Sequence, residues 1–121
     1  MIFNNGLSIE GGLTTRTSQP NSQSTYTTPG TYSWVAPNGI YTVSAVCVGG
    51  GGAGGRDPTS GISDQYVHGG GGGGLGWNNS ISVTPNQTYT VVVGAGGNAL
   101  ANVNGGDSYF ISNSIVCGFG G

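Results

Sequence analysis

The chain has 121 residues, of which 27 are glycine and only 5% are Asp, Glu, Lys or Arg. An ordinary soluble domain carries about 25% charged residues; here Ser, Thr, Asn and Gln supply the polarity instead. Two arginines, no lysine and a net charge of −2 give a phosphate backbone almost nothing to bind, which argues against nucleic acid as a partner, and no apolar run reaches the length of about 18 residues that reads as a membrane span.

The N-terminus, Met1-Ile2-Phe3-Asn4-Asn5-Gly6, has neither a positive n-region nor a long apolar core, so it does not read as a secretory signal. A place outside the cell would be reached by another route, such as a particle released by lysis. Gly6-Leu7 and Gly12-Leu13 repeat a Gly-Leu pair six residues apart, like the short extended repeats of trimeric fibre shafts. Thr17 to Thr28 is a polar linker containing Pro20. Residues 1–28 therefore read as a stem or attachment segment, with Ile2, Phe3, Leu7, Ile9 and Leu13 as candidate assembly residues. Residues 29–121 read as a glycine-rich β domain.

That domain opens after the turn signal Pro29-Gly30. Thr31 to Ala36 alternates and predicts a strand. After Pro37-Asn38-Gly39, Ile40 to Val48 predicts a second strand, with Val43, Ala45 and Cys47 on one face and Val46 and Val48 on the other. Apolar residues on both faces predict a central position. Ile81–Thr84 and Thr88–Val93 predict two more strands around Pro85-Asn86. Pro37-Asn38-Gly39-Ile40-Tyr41-Thr42-Val43 aligns with Pro85-Asn86-Gln87-Thr88-Tyr89-Thr90-Val91, with five of seven positions identical. The repeated unit reads as a hairpin followed by glycine. Asp107–Ile111 and Ser114–Cys117 complete the strands, and no stretch shows helical periodicity.

Two glycine runs organise the whole. Gly49–Gly55, interrupted only by Ala53, enters a polar loop from Arg56 to His68, and Gly69–Gly74 leaves it. Fixing glycine is costly; at about 1–2 kcal/mol per residue, ordering these runs costs on the order of 15 kcal/mol. They are either a disordered linker or are packed where no Cβ fits. Strands lead straight into the first run and follow closely on the second, which favours packing. A strict Gly-X-Y period is absent, so collagen is excluded. The predicted architecture is all-β: a small antiparallel unit whose strands feed polyglycine-II-like segments that bond to one another through their backbones.

Gly30-Thr31-Tyr32-Ser33-Trp34-Val35-Ala36-Pro37, Ser82-Val83-Thr84-Pro85, Tyr89-Thr90-Val91-Val92-Val93-Gly94-Ala95-Gly96-Gly97 and Gly105-Gly106-Asp107-Ser108-Tyr109-Phe110 together resemble the glycine-rich domain of bacteriophage tail-fibre and virion structural proteins. The resemblance spans about residues 29–121. It implies a virion protein on the exterior of the tail or capsid, a homo-oligomer for which a trimer is favoured. Its partners would be other virion proteins and a host-surface glycan or protein. A glycine-rich adhesin, filament or ice-binding-like module of a cell surface is the alternative, although threonines do not form a regular array on the glycine runs.

Enzymatic chemistry finds little to work with. No phosphate-binding Gly-x-x-x-x-Gly-Lys-Ser/Thr is present. His68 is the one histidine, with Asp64 four residues before it and no helix to bring them together. Asp57, Asp64 and Asp107 read as solvated turn carboxylates rather than a calcium set. Cys47 and Cys117 read as small buried apolar residues, with a disulfide between strand ends as the other possibility. No enzyme activity, cofactor or metal is expected. The loop 56–68 is the best binding candidate, because loops on rigid scaffolds carry binding. Arg56, Asp57, Asp64, Tyr66, His68 and Trp77 are the candidate contacts to a receptor or subunit, with Tyr66, His68 and Trp77 able to stack on sugar rings. The bland alternatives are a tolerated insertion and a Trp77 that caps the core.

Overall fold

The computed structural model describes residues 2–4 (backbone), 23–55 and 68–121. They form eight strands and no helix: β1 (Ile2–Asn4), β2 (Gln23–Thr25), β3 (Gly30–Val35), β4 (Thr42–Val48), β5 (Leu75–Ser82), β6 (Thr88–Val93), β7 (Ser108–Phe110) and β8 (Cys117–Gly118). One sheet has the order β2-β1-β4-β5 and the other β3-β6-β7-β8, and every pairing is antiparallel. The all-β antiparallel architecture expected from the sequence is the one found.

The inner faces of the two sheets meet in one core. Alternation sends Val43, Ala45 and Cys47 of β4 inward, where each is essentially buried. Ile81 joins them from β5, and Trp34, Val91 and Phe110 come from the opposite sheet. Trp34 meets the edge of Phe110 at 5.8 Å between ring centres, a favoured aromatic geometry. Tyr89 packs beside both rings, and its hydroxyl accepts a hydrogen bond of 2.7 Å from the Thr84 N–H.

The repeated strand–turn–strand unit does not fold as a hairpin. β3 pairs with β6 over Gly30↔Val93 to Val35↔Thr88, and β4 pairs with β5. Each Pro-Asn turn therefore carries the chain from one sheet to the other, as an arch. Two such arches cross-pair, which is why the same sequence occurs twice: first strand meets last, and the two middle strands meet each other. The arches are laced by Ala36 N–H to Gln87 O at 2.9 Å and Asn86 N–H to Ala36 O at 2.7 Å. Their turns differ in detail. The left-handed residue is Gly39 in the first, at φ 82°, and Asn86 in the second, at φ 64°; both types tolerate that conformation.

β4 is central in its sheet, but its second face is open. Val46 and Val48 are exposed, so the two-sided apolar pattern of this strand marks an uncovered outer face and not burial on both sides. β5 begins at Leu75, well before the expected Ile81, and carries a bulge between the pairs Val43↔Ile81 and Ala45↔Asn78. The segment 1–28, read from sequence as a stem, contributes β1 beside β4 and β2 beside β1. The Gly-Leu repeats lie outside the described residues.

Candidate functional site

Beyond the strand ends the chain continues as five extended, glycine-rich segments: residues 49–55, 69–74, 94–97, 105–106 and 118–121. The first is central. It donates from Gly49 to Gly74 O at 2.9 Å, from Gly50 to Gly106 O at 2.9 Å and from Gly52 to Gly71 O at 2.7 Å. It accepts at Gly51 O from Gly97 N–H at 2.7 Å and at Gly50 O from Gly121 N–H at 2.9 Å. One segment thus bonds to all four others. An extended helix with three residues per turn points its backbone groups in three directions, so each neighbour can be reached. Many of the backbone polar groups that no sheet pairs are satisfied in this way.

Close approach explains many of the glycines. A Cβ at Gly50 would overlap the Ala95 carbonyl, one at Gly70 the Gly52 carbonyl, one at Gly73 the Gly49 carbonyl and one at Gly76 the Cys117 carbonyl. In the second run these tight positions recur every third residue, the period of the helix. No bundle glycine lies in the left-handed region, so conformational freedom is not what requires them.

Two side chains anchor the bundle to the sandwich. The Asp107 carboxylate accepts from Gly120 N–H at 2.8 Å. Buried Ser108 accepts through Oγ from Gly94 N–H at 2.9 Å. Asp107, read from sequence as a solvated turn carboxylate, has a backbone partner that its spacing did not reveal. No group of three or more His, Cys, Asp or Glu suited to a metal occurs among the described residues.

The far end of the bundle carries loop 98–104 and the two described ends of the polar loop, Gly55 and His68. Gly55 N–H donates to His68 O at 2.8 Å, which holds the two ends of the polar loop side by side. His68 is exposed there. Arg56, Asp57, Asp64 and Tyr66 lie outside the described residues. The second loop, residues 98–104, is closed by reciprocal bonds between Asn98 and Val103 at 2.9 and 3.0 Å. The Asn98 side-chain oxygen accepts from Leu100 N–H at 2.9 Å. Between this loop and the end of the first glycine run is a cleft of about 490 Å³, lined by Ala53, Gly54 and Gly55 on one side and by Leu100, Asn102, Val103 and Asn104 among others on the other. Amide side chains beside apolar walls suit an uncharged polar ligand such as a sugar. The sequence reading passed over loop 98–104, where the only signal is three closely spaced asparagines in a chain poor in charge.

Trp77 belongs elsewhere. It is 66% exposed, lies opposite Val46 on the outer sheet face and does not cap the core. The glycine run 69–74 separates it from His68 by about 3.1 Å per residue. Among the candidate assembly residues, Ile2 and Phe3 are in β1, with their backbones against Val46 and Ala45; Leu7, Ile9 and Leu13 lie outside the described residues. Cys47 and Cys117 are free thiols. Cys47 is buried and donates weakly to Val116 O at 3.9 Å, while Cys117 is only half-buried.

A family model described as a glycine-rich domain matches residues 27–121. No match was found among curated proteins or among solved structures.

Proposed function

The chain belongs to the glycine-rich domain family over residues 27–121, and from that premise we propose that it is a structural and adhesive component of a bacteriophage particle. In this reading it is a short fibre or fibre-like protein, assembled as a homotrimer on the exterior of the tail or capsid. Residues 1–28 attach or assemble it on other virion proteins. The glycine-rich domain presents the receptor-binding loops to a host glycan or protein.

The observation that carries the reading is the bundle with loop 98–104 at one end, beside Gly55 and His68, between which the polar loop is inserted. A backbone-bonded glycine lattice supports loop 98–104 without charged side chains or a large core. Rigidly held loops are good binding surfaces because little ordering entropy remains to be lost on contact. The cleft between loop 98–104 and Ala53–Gly55 supplies amide groups for an uncharged ligand. The near absence of charge favours contact by shape and hydrogen bonding over electrostatic steering.

The test is to purify particles from the genome that encodes this chain and to look for the chain by mass spectrometry. An antibody against it should label the particle and block adsorption to cells. Absence of the chain from purified particles would overturn the reading and favour a cell-surface binding module.

A further inference from the structure

The outer face of the chain carries a ribbon that nothing among the described residues covers. With three residues per turn, Gly69 and Gly72 lie on the same side of their segment as Leu75. A Cβ at Gly69 or Gly72 would meet nothing within 4 Å. Among the described residues nothing requires glycine at these two positions, in contrast to Gly70 and Gly73 beside them. Among the described residues, the N–H and C=O groups of Gly70, Gly72 and Gly73 have no hydrogen-bond partner. The ribbon then runs onto β5 and across to β4. Leu75 (67% exposed) is opposite Val48 (55%), and Trp77 (66%) is opposite Val46.

We propose that this ribbon, Gly69–Gly74 continued by Leu75, Trp77, Val46 and Val48, is the surface by which a second copy of the chain docks. The occupant must bring a backbone without Cβ atoms that has both donors and acceptors to offer, together with an uncharged apolar patch alongside. The same ribbon on another copy meets each of these requirements. Its unpaired N–H and C=O groups are complementary in partial charge to themselves, and a segment laid against Gly69–Gly74 continues the lattice of bonds that already joins the five segments inside the chain. The described part of the ribbon carries no charged residue that a copy would have to neutralise. The choice of a copy over a foreign partner rests on the reading of the chain as a self-assembling component.

Light scattering on the full chain tests this, with a Gly69→Ala/Gly72→Ala variant and, separately, Trp77→Ser. Neither change adds an overlap with the described residues, and alanine at the two glycine sites restricts the unfolded chain. The glycine variant should therefore be at least as stable as the wild type to denaturant. Its oligomer should nevertheless dissociate at a concentration about tenfold higher or more, since a wedged methyl in a close-packed contact costs on the order of one tenfold step in affinity. Trp77→Ser should weaken the oligomer too. A wild type that stays monomeric up to about millimolar concentration, a regime in which even weak association shows, would overturn the proposal. So would an oligomer whose mass neither variant changes; in that case assembly by another surface remains and the particle reading survives, to be decided by mass spectrometry of particles.

Discussion

At the scale of single residues, glycines that are adjacent in sequence are held to different standards. Gly73 faces the Gly49 carbonyl with no room for a methyl, whereas Gly72 faces open space. Gly73→Ala should destabilise the fold by about 1–3 kcal/mol or more, because the obstructing atom is backbone and cannot rotate away. Gly72→Ala should stabilise the single chain by about 0.4–1 kcal/mol through the unfolded state. Urea denaturation of both variants under monomeric conditions checks this, and equal effects would refute the three-residue period. A second residue-scale prediction concerns Cys47. Burial pushes its thiol from 9.0 up to about 11; desolvation also raises Cys117, with Asp107 contributing. The folded state therefore holds the thiol proton to higher pH than the unfolded chain does. Below pH 9 both states are protonated and these thiols add no pH dependence. Between about pH 9 and 11 the unfolded chain ionises first, so stability should fall as pH rises. Denaturation midpoints across that window should decline less steeply in Cys47→Ala than in the wild type; parallel declines would remove Cys47 as the cause.

At the scale of elements, the strands were readable and their partners were not. Period-two alternation over 42–48 and 88–93 marks strands because side chains on a strand alternate between faces whatever the pairing. Sequence neighbours joined by a short turn usually pair, so the Pro-Asn units looked like hairpins. The arch differs only in which edge the backbone bonds reach, and that is decided by distant residues: Trp34 opposite Tyr89, and Val43 opposite Ile81. The glycine runs were legible as packed because strands feed them. The positions that fix their packing were not, since Gly69, Gly70 and Gly71 are identical as letters. The anchors Asp107 and Ser108 were visible as a motif, but their targets, the Gly120 and Gly94 amides, depend on segments brought in from elsewhere. Of the candidate site, His68 is at the loop end of the bundle, beside Gly55. Trp77 is not, because the strand β5 starts early and alternation turns the ring to the outer sheet face.

At the scale of the whole molecule, the sandwich and the bundle are tied together by the last segment. Phe119 to Gly121 takes part in four hydrogen bonds: Gly74 N–H to Phe119 O, Gly105 N–H to Gly121 O, Gly121 N–H to Gly50 O and Gly120 N–H to Asp107. These reach three other glycine segments and the residue that precedes β7. A backbone-bonded lattice has little apolar area to bury, so each bond counts for more than it would in a large core, and a buried donor left alone costs more than the bond itself is worth. Deleting Phe119–Gly121 should therefore lower stability by about 4 kcal/mol, at about 1 kcal/mol per bond. The loss should appear in both layers at once. Trp34 reports on the sandwich, and amide exchange of Gly50, Gly52 and Gly97 reports on the bundle. If the two are one unit, thermal unfolding followed by near-UV circular dichroism and exchange of those amides should shift together in the deletion variant. Loss of protection at the glycine amides with an unchanged aromatic transition would show instead that the bundle opens independently. Loop 98–104 at its end would then be held by the lattice alone, without support from the core beneath it.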